Sequence, residues 1–288
     1  MQQRRGARRA GVAAGVSAAL LLLLLSCTRV GRDEAARPAA DKAAPPPVTV
    51  RLSPAELGTL RETALARHAA AQRLRHGGDP AAMREADAAY VEAAELYARW
   101  LAAAPAGAPE RGETRFFRAE ALFWSGGYAA SVADYRAVFA GGPEHYRADA
   151  CYSAVEALSL AAVLDVEAGK LVDPGMPVLA SSGAVVSTPA VPMPAQWAEL
   201  VSAADACLVL PADERGAGMA LRAALVVLRH RQWAEAERRL DVVIHRFCKA
   251  TVTGAAAESL LLAAAGRGGA SAASSTQQRL AADSCVAR

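Results

Sequence analysis

One spacing recurs four times in this chain and constrains its fold more than any other feature. An aromatic residue, or its stand-in, is followed fifteen positions later by a proline or its stand-in. The pairs are Tyr90 and Pro105, Tyr128 and Pro143, Gln196 and Pro211, and Trp233 and Cys248. A single helical hairpin of this length cannot bury its own apolar face, so a recurring hairpin must stack on its neighbours. The expected product is a row of hairpins offering a binding surface rather than a closed reaction pocket.

Composition agrees with hairpins made of helices. Apolar residues make up 53% of the chain and aromatics only 5%, so alanine and leucine, both strong helix formers, carry the apolar fraction. An all-α body is expected. Cap and breaker residues then divide it. Ser53-Pro54 opens a helix that Gly77-Gly78 ends, and Asp79-Pro80 opens one running to Pro105. The next spans Pro109 or Glu110 to Gly126-Gly127, followed by Tyr128 to Gly141-Gly142 and Glu144 to Glu167. Further helices are expected near 194–210, 213–230, 233–247 and 251–265, with a short one over 275–283. That makes ten helices, or about five hairpins. They fall in two stretches, 53–170 and 196–288.

Between those stretches, residues 171–195 hold Pro174, Pro177, Pro189, Pro192 and Pro194 among Gly, Ser and Val. So long a loop in a compact domain is a solvated insertion or a functional one, a flap over a groove or a strand captured by a partner.

Within 115–143 the residues Ala119, Leu122, Gly126, Tyr128, Ser131, Tyr135, Val138 and Pro143 stand at spacings that resemble the tetratricopeptide repeat. Small residues let two helices approach, aromatics plug the gap to the next hairpin, and proline stops the second helix. Ala224, Val227, Trp233, Ala236, Leu240 and Val243 repeat the pattern, with Arg231 in place of the turn glycine and Cys248 in place of the proline. Tyr90, Ala93, Tyr97, Trp100 and Pro105 match only a second half, and Gln196, Glu199 and Ala203 match poorly. Arg118 sits where an apolar residue is usual. The resemblance implies a helical-hairpin solenoid whose groove is lined by first-helix side chains. Carried over, these are Phe116, Glu120, Phe123 and Trp124 in one unit and Leu221, Leu225, Leu228 and Arg229 in another. Exposed together, Phe116 and Phe123 would form an apolar patch suited to a helix or extended peptide. The same spacing also suits packing inside a hairpin.

The start of the chain bears on place. Arg4, Arg5, Arg8 and Arg9 precede an apolar run, Ala10 to Leu25, that ends in six leucines and Ser26-Cys27. This is the layout of a secretory signal peptide, too short for a comfortable membrane span. Leu24-Leu25-Ser26-Cys27 resembles the lipobox of bacterial lipoproteins, which implies a leader over 1–26 and acylation of Cys27. Two or more acyl chains anchor stably. Thr28, where an aspartate would favour inner-membrane retention, points to the periplasmic face of the outer membrane. Residues 27–52, rich in Pro and Ala, cannot bury enough apolar surface to fold. They read as a tether spanning about 25 to 30 Å.

Chemistry finds little purchase. His68, His76, His145, His230 and His245 lie in no metal-ligand spacing and read as surface or helix-end residues. No nucleophile motif or phosphate loop is present, and no cofactor, metal or small-molecule substrate is expected. With 29 arginines, 3 lysines, a net charge of +3 and no basic cluster interleaved with aromatics, nucleic-acid binding is set aside. Cys151, Cys207, Cys248 and Cys285 allow two bridges in three pairings. Buried thiols at Cys207 and Cys248 are the expectation, and a Cys248–Cys285 bridge pinning the last hairpin is the alternative.

Leader, lipidated cysteine, tether and about five hairpins together resemble the small repeat lipoprotein of the outer-membrane β-barrel assembly machine. The alanine and arginine bias with a Pro-rich interruption resembles the large repeat lipoproteins of myxobacteria-like organisms. The expected function is a non-enzymatic, lipid-anchored scaffold that binds an envelope protein or peptide. Roles in β-barrel assembly, peptidoglycan synthesis or motility are alternatives. A peptidoglycan-cleaving lipoprotein would need a catalytic carboxylate in a deep cleft, and a solute-binding one would need two α/β lobes.

Overall fold

The computed structural model describes residues 52–77, 79–178 and 189–286. The leader, Cys27 and the tether up to residue 51 lie outside the described residues.

The described residues are all-helical. In chain order the helices are α1 (Pro54–His76), α2 (Pro80–Ala103), α3 (Arg111–Trp124), α4 (Tyr128–Gly141), α5 (Glu144–Glu167), α6 (Ala195–Cys207), α7 (Glu214–Arg229), α8 (Trp233–Arg246) and α9 (Thr253–Ala281). Capping residues set several of these limits. The Ser53 hydroxyl accepts from the Glu56 amide while Glu56 accepts from the Ser53 amide at 2.7 Å, a reciprocal box that starts α1. Asp79 caps α2 through the Ala82 amide, and Asp213 caps α7 through the Gly216 amide at 2.7 Å. The tenth expected helix is the end of α9. Gly268 and Gly269 leave helical geometry there, and the chain resumes its helix at once rather than at residue 275. None of the described helices is long and apolar enough to cross a membrane.

Each helix packs on the next in the chain, and α3, α5, α7 and α9 also touch one another in succession. From α3 onward, alternate helices therefore lie side by side. Frame residues from the sequence supply the core between hairpins: Ala119, Tyr135 and Val138 in the second, Ala224, Ala236, Leu240 and Val243 in the fourth are all buried. At the tight α7–α8 turn Arg231 takes the left-handed conformation, φ +55°, that Gly126 takes at φ +83° between α3 and α4. A side chain there costs roughly 1 kcal/mol. Arg231 offsets it by donating to the Gly175 carbonyl at 2.8 Å. Gly266 serves packing instead, since a Cβ there would fall 2.6 Å from the Trp233 ring.

Four sequence expectations need correction or completion. In the decayed third copy of the frame Ala203 is buried as expected, but Gln196 and Glu199 are exposed and their neighbours Trp197 and Leu200 take the buried places. His68 is not a surface residue but lies 5% exposed, edge-on to Tyr90, Tyr97 and Phe117. Burial lowers its pKa to about 4. Cys207 and Cys248 are not free thiols: Cys151 bridges Cys207 and Cys248 bridges Cys285, with Cα separations of 5.8 and 4.9 Å. Arg118, out of place in the frame, pairs with the buried carboxylate of Asp134 on α4.

Candidate functional site

α7 carries arginines at 215, 222 and 229, every seventh residue, which places them along one stripe of the helix after each pair of turns. α5 answers with acids at the same interval. Arg215 pairs with Asp149, and Arg222 pairs with Glu156 at 2.6 Å. The third position in the α5 series is Val163, which stands 46% exposed. Arg229 is met instead by Asp173 of the insertion, Nη1 to Oδ2 2.9 Å.

Alongside the second and third rungs a groove of about 380 Å³ opens between α5, α6 and α7. Its walls are Val163 of α5, Trp197 and Leu200 of α6, and Leu221, Leu225 and Arg229 of α7. The insertion runs along one edge. Leu171 is buried, the Trp197 indole donates to the Val172 carbonyl at 3.1 Å, and Arg231 holds the Gly175 carbonyl. On the return, the Val191 amide donates to the His230 carbonyl at 3.0 Å. Residues 171–178 thus form a strap tied to α6 and to the end of α7, which a freely solvated insertion would not be. Residues 179–188 lie outside the described residues.

The two quartets carried over from the repeat pattern fare differently. Leu221, Leu225 and Arg229 meet at the groove, while Leu228 points into the core and is fully buried. Phe116 is 8% exposed and stacks on Tyr146 with ring centroids 4.4 Å apart and planes 18° apart, so it is hairpin packing. Phe123 is half-buried, edge-on to Tyr128. Glu120 accepts from the Tyr135 hydroxyl at 2.6 Å and from the Trp124 indole at 3.2 Å. Trp124 is 39% exposed, with the Arg75 guanidinium 4.7 Å from its ring. Phe116 and Phe123 therefore do not form an open apolar patch.

Sequence reasoning missed Val163, Trp197 and the strap. The seven-residue interval shared by Arg215, Arg222 and Asp149, Glu156 was there to be read, and so was the exception at Val163. Trp197 was hidden because the frame fell on its neighbour Gln196.

Among the described residues no group of His, Cys, Asp or Glu is arranged to hold a metal ion. Burial raises the pKa of Asp134, against the pull of Arg118, and its carboxylate is spent on that pair. Burial likewise raises the hydroxyl of Tyr135 above the ordinary phenolic range, with Glu120 adding to it. The Tyr152 hydroxyl, donating to Asp213, is raised to about 12, chiefly by burial. The two tyrosine hydroxyls are thereby kept protonated at neutrality and serve as hydrogen-bond donors to Glu120 and Asp213.

Compared with known protein families, characterised proteins and solved structures, the chain has no match.

Proposed function

We propose that this chain is a lipid-anchored, periplasm-facing helical-repeat scaffold whose hairpins form a tetratricopeptide-like solenoid and bind a protein partner in cell-envelope assembly or maintenance. The observation that carries the reading is the groove between α5, α6 and α7. It joins an apolar floor at Leu221 and Leu225 to a guanidinium at Arg229, and the frame residues beneath it are spent on packing. A surface with an apolar centre and a charged rim suits a peptide or helix better than a reaction, which would need a general acid, base or nucleophile converging on one point.

The two disulfides favour an oxidising compartment, because such bridges are rare where thiol reductants keep cysteines reduced. That agrees with export through the leader and retention at Cys27. Mass spectrometry of the mature protein tests the anchor: an acylated N-terminal Cys27 is expected, and a soluble product cut elsewhere would sink it. In-cell cross-linking from a photoreactive residue at position 225 tests the surface. Capture of an envelope protein from 225, with none from position 209 on an exposed face, is the expected result.

A further inference from the structure

Arg229 marks the place where the α5–α7 ladder runs out of acids. Its first two rungs close with carboxylates on α5, and the third does not, because Val163 stands where the acid would be. Asp173 of the strap reaches across to fill the vacancy through one Nη only. The Arg229 Nε is shut off from solvent and has no acceptor. A guanidinium presents its Nε and Nη as a fork shaped for two carboxylate oxygens, and a donor left unpaired in a buried place is costly. The side chain as a whole is 33% exposed, so an incoming group meets Arg229 away from the enclosed Nε, where Asp173 now sits. Immediately beside it lie Leu225, one turn back on α7, then Leu221 and the exposed Val163.

We propose that the groove takes an extended segment of a partner protein in which an apolar side chain and a carboxylate stand two residues apart. The apolar group rests on Leu221 and Leu225, and the carboxylate binds Arg229 in place of Asp173. The proposal rests on reading this face as a docking surface and adds the chemistry of what docks. Dimensions agree: Leu225 and Arg229 are four residues apart on a helix, a rise of about 6 Å. Alternate side chains of an extended strand share a face and repeat about every 7 Å. The strap is then an internal competitor. Asp173 satisfies Arg229 when no partner is present, at the price of apparent affinity when one arrives.

Fluorescence anisotropy with the full chain in detergent tests this. The probes are twelve-residue peptides that are polar except for one apolar residue, varied across a panel, followed two positions later by Asp or by Asn. The Asp series is expected to bind at least about tenfold tighter than the Asn series, as a charge-assisted contact replaces a neutral one. Asp173→Asn should tighten the Asp series by about threefold, the worth of a half-exposed ion pair, without moving the Asn series. Arg229→Gln should erase the difference between the series, and Leu225→Glu should weaken both. Equal binding of both series, lost in Leu225→Glu, would overturn the carboxylate claim and leave the groove standing. Binding of neither series would overturn both. A concentration-dependent dimer that Leu225→Glu dissolves would assign the groove to a second copy and overturn the proposal as well.

Discussion

The two ends of the hairpin row are held together by different means. In α1 to α4 the packing is aromatic: Tyr90, Tyr97 and Phe117 surround His68, Phe116 links Phe117 to Tyr135, and Tyr146 joins from the start of α5. From α5 onward the core is mostly aliphatic, built on Val155, Leu200, Val227, Leu228, Leu240, Ile244 and Leu260 with many alanines between. That second region carries both disulfides and the arginine ladder. Alanine-rich helices have little to put between hairpins. Ion pairs occur in both regions, but one fills the gap with rings, and the other, which also bears the insertion and the groove, adds both disulfides to an aliphatic core. The groove therefore sits in the region whose frame carries both covalent ties.

The contrast can be broken most directly at Cys151–Cys207. Replacing both cysteines with serine should lower stability by about 4 kcal/mol, the loop-closure term for a loop of this length. Hydrogen exchange should show α5 to α7 losing protection while α1 and α2 keep theirs. Equal loss throughout would mean that the two regions are one cooperative unit and that the contrast has no energetic content. The reciprocal test is Phe116→Ala, which removes the ring stacked on Tyr146. A cost of about 3 to 4 kcal/mol is expected on denaturant unfolding, concentrated in α3 and α4.

Acid sharpens the comparison next. The fold holds His68 neutral with a pKa near 4, below the 6.5 of the unfolded chain. A group whose folded pKa is lowered binds its proton more readily when unfolded, so its contribution is whole above about pH 6.5 and drains away as pH falls towards 4. The full loss is about 3 kcal/mol by that linkage. Urea titrations from pH 7 to pH 4 should show it in the aromatic region, and His68→Phe should flatten the profile. A flat profile in the unsubstituted protein would show that His68 does not feel the burial assigned to it. The smallest effect is expected at Arg231→Gly. Relief of the left-handed backbone is worth about 1 kcal/mol, so the melting temperature should hold or rise slightly. Exchange at residues 171–178 should nevertheless speed up, because the Arg231 tie to Gly175 is lost.

Helix limits were legible because their signals are local. Ser53 with Glu56, Asp79 with Pro80, and the turn at Gly126 each act within a few residues of where they stand. The site was half legible for the opposite reason. Leu221, Leu225 and Arg229 follow from their place on a first helix, but Phe116 occupies an equivalent place and is closed off by Tyr146, thirty residues later. The choice between groove and core there depends on what the next hairpin brings, which spacing within one unit does not contain. The pairing of Cys151 with Cys207 was hidden likewise, since it requires α6 to return onto α5 after an insertion whose course proline content alone does not reveal.

That same bridge gives the insertion a property of its own. Cys151 and Cys207 close a ring through which all of 171–195 passes, so a protease that cuts the loop once severs the main chain without releasing either piece. The nicked protein should run as one band without reductant and as two with it. If Cys27 is acylated as proposed, the anchor lies on the leader side of any such cut and the bridge keeps the carboxyl-terminal fragment attached to it. Sequence could thus be inserted, tagged or cleaved at this position without separating the two ends of the molecule.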